Sequence, residues 1–145
     1  MTVQILNKGK EQININHLID QVKKSPQIKE CGAIFSFEGL VRGEEGDLTT
    51  YTLNLTTTSE NKTQDELEVL VDDIKDKHQV KEVAVVHYLG KFQPGDPLFL
   101  VVVAGAHRQE ARAALNEVIE RVKYELDFQK EEETSKGKNI ILSGG

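Results

Sequence analysis

The sequence predicts an α+β fold, a single domain over residues 1–145 in which helices pack on a largely antiparallel sheet, and three observations point there. Segments alternating apolar and polar residues at period two interleave with segments whose apolar residues recur every three to four positions. No low-complexity linker divides the chain, and 145 residues suffice to bury one contiguous core. Cys31 is the only cysteine, so the core must hold without an internal disulfide or a multi-thiolate metal site.

The elements follow in order. Asn14 or Asn16 caps a helix through about Lys24, with Leu18 and Val22 one turn apart and Pro26 blocking continuation. From Gly32 to Val41, Ala33, Phe35 and Phe37 fall on one face of a strand, and Ser36 and Glu38 on the other. Tyr51, Leu53 and Leu55 alternate with Thr52, Asn54 and Thr56 in a second strand, with Arg42 to Asp47 as the loop of a hairpin joining the two. Thr63-Gln-Asp-Glu66 has capping-box spacing ahead of Leu67, Leu70, Val71 and Ile74 at helical intervals. Val83, Val85, His87 and Leu89 alternate in a strand, Gln93 to Pro97 supplies turn chemistry, and Leu98 to Val103 is a buried strand. Ala111, Leu115, Val118, Val122 and Leu126 trace one face of a long final helix. Residues 133–145 read as a flexible tail or, over Asn139 to Leu142, as a last strand, so the order is β-α-β-β-α-β-β-α-β.

Composition excludes several functions. The net charge of −6 argues against a surface wrapping a nucleic-acid backbone, but leaves room for a small anion where a few Lys and Arg converge. Apolar runs such as Leu98 to Ala104 are far too short to span a bilayer, and Met1-Thr-Val-Gln-Ile-Leu6 lacks the features of a secretory signal, so the expected place is the cytoplasm. No His, Cys and carboxylate set has metal-ligand spacing, and neither a phosphate loop nor a dinucleotide fingerprint is present. Cys31, beside Gly32, Ala33 and Ile34, reads as a small buried hydrophobe.

Charged residues at element ends are the candidates for chemistry. Arg42 directly follows a strand, and His107-Arg108 opens the final helix, whose free N–H groups already favour anions. Two roles fit these residues: a joint grip on a phosphate, or solvated end caps. Lys123 and Lys130 would share a helix face about 10 Å apart if the helix continued past Asp127 and Phe128. Alternatively both snorkel, with stems on the core and ammonium groups in water. His87, on the apolar side of its strand, reads as a core-edge histidine rather than a ligand.

Gly32-Ala-Ile-Phe-Ser-Phe-Glu-Gly-Leu-Val-Arg42, Leu89-Gly-Lys-Phe-Gln-Pro-Gly-Asp96, Ala106-His-Arg108, and Lys123 followed by Phe128-Gln-Lys130 resemble, in that order, the large catalytic subunits of molybdopterin synthase. The resemblance implies an α/β-hammerhead fold and a homodimer within a heterotetramer, with a small ubiquitin-like sulfur carrier at each outer end. The carrier's C-terminal Gly-Gly thiocarboxylate would donate sulfur, over two rounds, to cyclic pyranopterin monophosphate, giving the molybdopterin dithiolene without a redox cofactor. It implies catalytic roles for Lys123 and Lys130, and pterin or phosphate contacts for Phe37, Arg42, His107 and Arg108.

The chain departs from that pattern in places. Asn54-Leu-Thr-Thr-Thr-Ser59 stands where the family has aromatic and histidine residues, and Asp127-Phe-Gln-Lys130 where it has Pro-Phe-Trp-Lys. The acidic run Glu131-Glu-Glu133 follows and reads as a solvated outer face. Two other roles therefore stay open: a pterin- or partner-binding paralogue without turnover, and a protein-modifier or carrier role through Gly144-Gly145.

Overall fold

The computed structural model describes residues 1–142, so Ser143, Gly144 and Gly145, on which a carrier role would rest, lie outside the described residues. The elements are β1 (Val3–Asn7), α1 (Ile15–Lys23), β2 (Ala33–Leu40), β3 (Glu44–Glu45), β4 (Leu48–Thr56), α2 (Glu60–His78), β5 (Glu82–Phe92), β6 (Pro97–Gly105), α3 (Arg108–Glu125), β7 (Gln129–Thr134) and β8 (Gly137–Leu142). The eight strands form one sheet in the order β2-β6-β5-β4-β7-β8, with β1 beside β5 and β3 beside β4. Every pairing is antiparallel except β1 with β5, where Val3 lies opposite Val85.

The pattern of apolar residues explains this order. In β5 every side chain from Val83 to Leu89 is buried, as is every one in β6 from Phe99 to Gly105, so these two strands must be flanked on both sides and covered on both faces. Strand β2 supplies the far flank of β6, pairing Phe37 with Val101. Helix α3 packs on β6 and β2, α1 on β6 and β5, and α2 on α3 and β1. Leu18 and Val22 of α1, and Leu67, Leu70, Val71 and Ile74 of α2, are buried with Ala111, Val118 and Val122 of α3, so the apolar stripes face the core. Asn14 caps α1, its side chain accepting the His17 amide at 2.9 Å.

Several expectations are corrected. Strands β2 and β4 do not form a hairpin. The hairpin instead lies inside the expected loop, where Gly46 at φ +61° turns β3 back onto β4 and Glu45 meets Leu48. Tyr51 is exposed and Thr50 buried, because the pairing of β4 with β7 shifts register between Thr50 and Thr52 and breaks the alternation there. Helix α2 starts at Glu60 under a Ser59 cap, while Thr63 is buried in its second turn with its hydroxyl 2.6 Å from that of Thr57. Helix α3 stops at Glu125, so Lys130 is not on it. Of the two readings of the end, the last strand holds over the described residues: β7 and β8 pair from Gln129 opposite Leu142 to Thr134 opposite Gly137.

Candidate active site

A cavity of about 290 Å3 opens where β2, β5, β6, the last turns of α3 and strand β7 meet. Lys123 reaches it from the end of α3. Lys130 reaches it by a different route. After Glu125 the chain turns extended at Leu126, which is buried, and Phe128 donates its amide to the Leu126 carbonyl at 3.0 Å. The Thr58 hydroxyl, donating to the Asp127 carboxylate, ties the bend to the segment after β4. The chain then enters β7, where Lys130 pairs with Leu55 of β4. A turn and a strand, rather than continued helix, thus bring the two lysines to one cavity.

The wall between them is aromatic. His87, centred in β5, stacks on Phe128 with ring centroids 4.3 Å apart and tilts against Phe99 at 4.9 Å. Phe37 meets Phe99 edge-on at 5.7 Å. Burial holds the imidazole neutral, lowering its pKa to about 4, and the nearby Lys130 charge adds to that. Burial also lowers the pKa of Lys130, and the positive charge of Lys123 lowers it further, while Glu132 opposes both. Lys123 extends over the Tyr124 ring, 5.6 Å from its centroid.

Lys130 also borders a second hollow of about 480 Å3, with Arg42, Glu44, Glu45 and Glu132. Arg42 is exposed and paired with Glu45 at 2.9 Å. The acidic run divides because side chains alternate along β7. Glu132 shares the hollow with Lys130 and Arg42, whereas Glu131 and Glu133 line a surface dip with Lys91, and only these two fit the expected outer face.

The structure therefore gathers Phe37, Lys123 and Lys130 around one cavity, with Arg42 next to it. It does not bring His107 and Arg108 there. Both follow the Gly105 end of β6, where Gly32 donates its amide to the Gly105 carbonyl, at the opposite end of the β2–β6 pair from Arg42. Eight paired residues separate those ends by about 25 Å. His107 is exposed, with Nδ1 3.2 Å from Glu110 Oε1 but in no hydrogen bond to it. Sequence reasoning missed Phe99 and Phe128 as lining residues and took His87 only as a core-edge group. The signal was thin: His87 falls on the buried period of β5, and an apolar Phe128 interrupts a polar stretch.

Two ammonium groups against an apolar, aromatic wall suit a flat ligand carrying negative charge. Among the described residues no helix is long and apolar enough to cross a membrane.

The family model described as MoaE protein matches residues 9–125. The molybdopterin synthase catalytic subunit of Mesorhizobium japonicum is 32% identical over 108 residues, covering 74% of this chain and 66% of that protein. That of Ralstonia nicotianae is 34% identical over 119 residues, covering 77% and 61%. The chain thus spans somewhat less than two thirds of these two relatives. Among solved structures, a molybdopterin biosynthesis MoaE protein from Burkholderia ambifaria superposes with a TM-score of 0.80 at 23% identity, covering 99% of this chain and 90% of that one. Molybdopterin synthase from Staphylococcus aureus gives 0.79 at 23% identity, covering 96% of each chain. A complex of subunits 1 and 2 of the molybdopterin-converting factor from Helicobacter pylori gives 0.71 at 22%, covering 93% and 86%. The extent of the family match, on a fold shared with these structures, means that the chain belongs to the MoaE family.

Proposed function

We propose that this chain is the catalytic large subunit of a cytoplasmic molybdopterin synthase. It transfers sulfur from the C-terminal Gly-Gly thiocarboxylate of a small ubiquitin-like carrier to cyclic pyranopterin monophosphate, forming the dithiolene. The observation that carries this reading is the convergence of Lys123 and Lys130, from two different elements, on one aromatic-walled cavity. Both reactants are anionic, so their encounter needs fixed positive charge in a partly desolvated site, where such charge acts most strongly. As the thiocarboxylate sulfur bonds to the pterin side chain, negative charge gathers on the departing oxygen, and an ammonium group can stabilise it or hand it a proton. The family relatives' names and the two-subunit Helicobacter pylori complex support the carrier as partner.

The positions of His107 and Arg108 bear on assembly. About 25 Å from Arg42, they can join an anion site with it only if a second copy of the chain supplies them. In this reading the active form is a homodimer carrying a small subunit at each outer end, and His107 and Arg108 of one copy face the cavity of the other.

Reconstitution with thiocarboxylated carrier and cyclic pyranopterin monophosphate tests the proposal. Lys123→Ala and Lys130→Ala are each expected to lose about 2–4 kcal/mol of transition-state stabilisation, roughly thirtyfold to a thousandfold in rate, while remaining folded. Wild-type turnover in either variant removes that lysine from the mechanism. A pterin-binding paralogue is the second reading, favoured by Glu132 beside Lys130 and by the engagement of Arg42 with Glu45. Pterin binding without product, in the unmodified protein, would establish it.

A further inference from the structure

Three polar side chains line the cavity among the described residues: His87, Lys123 and Lys130. The two lysines can only donate hydrogen bonds, since an ammonium group has no acceptor. His87 is different, and its surroundings fix how. Its Nδ1 lies 3.1 Å from the Tyr88 carbonyl oxygen, which can only accept, so Nδ1 carries the proton. A neutral imidazole has one N–H, which leaves Nε2 with a lone pair. Stacking on Phe128 and packing on Phe99 hold the ring plane in place.

No hydrogen bond to Nε2 is made among the described residues, and His87, though only 6% exposed, lines the cavity.

We propose that His87 is a specificity-determining residue: Nε2 accepts an N–H from the pyrimidine edge of the bound pterin and sets which end of the heterocycle faces Lys123 and Lys130. The assignment rests on the function proposed above, because it takes the pterin as the ligand. It adds what the lysines cannot supply. They recognise charge, and any small anion satisfies them, whereas a fixed acceptor on an apolar wall separates a ring bearing N–H donors from one without.

The test uses the intact protein with its thiocarboxylated carrier. His87→Phe keeps a flat ring against Phe128 and removes the acceptor, while His87→Gln restores one through its amide oxygen. The Phe variant is expected to raise KM for cyclic pyranopterin monophosphate, and to weaken calorimetric pterin binding, about tenfold, with a smaller change in kcat. The Gln variant should recover part of that loss, and affinity for the carrier should stay as in the wild type, which a collapsed site would not allow. A second arm needs no variant: wild-type protein should bind pterin about tenfold better than a derivative whose pyrimidine N–H groups are methylated. Equal pterin affinity in the wild-type, Phe and Gln proteins overturns the assignment, as does equal affinity for the two pterins. Lys130→Ala, run alongside, separates the two possible failures. Absence of turnover in the wild-type protein sinks the enzyme reading, whereas wild-type turnover that is lost in Lys130→Ala, together with an unaffected Phe variant, sinks only the role of His87.

Discussion

Lys130 holds its charge where charge is disfavoured. Burial and the nearby Lys123 both push its pKa down, so the folded protein binds that proton less tightly than the unfolded chain does. The sign for stability follows. The penalty is fully present below the folded pKa and fades as pH rises towards the ordinary lysine value. Lys130→Met, which keeps the stem and removes the ammonium, is therefore expected to raise Tm at neutral pH while abolishing turnover. Its advantage should shrink as melting is followed upward towards pH 10.5. A variant less stable than wild type at pH 7 would show that the ammonium is a net stabiliser. A group kept at such a cost belongs to function rather than to folding.

At the scale of elements, α2 and α3 are clamped by one carboxylate. Glu117 of α3 accepts from Lys77 at 2.8 Å, lies 3.0 Å from His78 Nε2 and accepts from Arg121 at 3.4 Å. Lys77 first, then His78 and Arg121, hold its pKa down at about 2. The stabilisation is present above the ordinary carboxylate value of 4.5 and is lost as pH falls through about 2. Glu117→Gln should cost about 1–2 kcal/mol at pH 7, because the cluster is partly solvated, and the difference from wild type should vanish in acid. Chemical denaturation at several pH values measures both.

The helices themselves were legible in the sequence. Leu67, Leu70, Val71 and Ile74 recur at helical spacing, and periodicity depends only on neighbours along the chain. The start of α2 was misplaced because two caps compete in Ser59 to Glu66, and tertiary burial of Thr63 decides between them. Strand partners were not legible. Alternation tells which face of β2 is buried but not that β6, far along the chain, is its neighbour.

The candidate site shows the same division at the scale of the molecule. Lys123 and Lys130 were picked out through the resemblance, whereas the helical geometry considered for them fails at Leu126, since the pairing of Lys130 with Leu55 is a long-range contact. His87 carried only its place on the buried period of β5, which marks a core residue as readily as a cavity wall. Assembly supplies a further test. If one copy's Arg108 serves the other's cavity, Lys130→Ala and Arg108→Ala proteins, each inactive alone, should form hybrid dimers with one complete site. Random co-assembly then returns about a quarter of wild-type activity. Persistent inactivity of the mixture, with hybrid dimers demonstrated, would place both residues in separate roles within one chain.

The parallel contact between β1 and β5 has a kinetic side. Val3 cannot meet Val85 until the chain has been made as far as β5, and β2 waits likewise for β6. Pairs so distant in sequence lose much chain entropy before contact rewards them, which slows the search for the native topology. Helices α1 and α2, closed by local hydrogen bonds, have no such wait, so a growing chain carries formed helical turns beside an unclosed sheet. For that interval the apolar residues of β5, from Val83 to Leu89, lack their β6 partner and stand open to other unfinished chains, and the N-terminal strand, short as it is but already made, is the first cover for one edge.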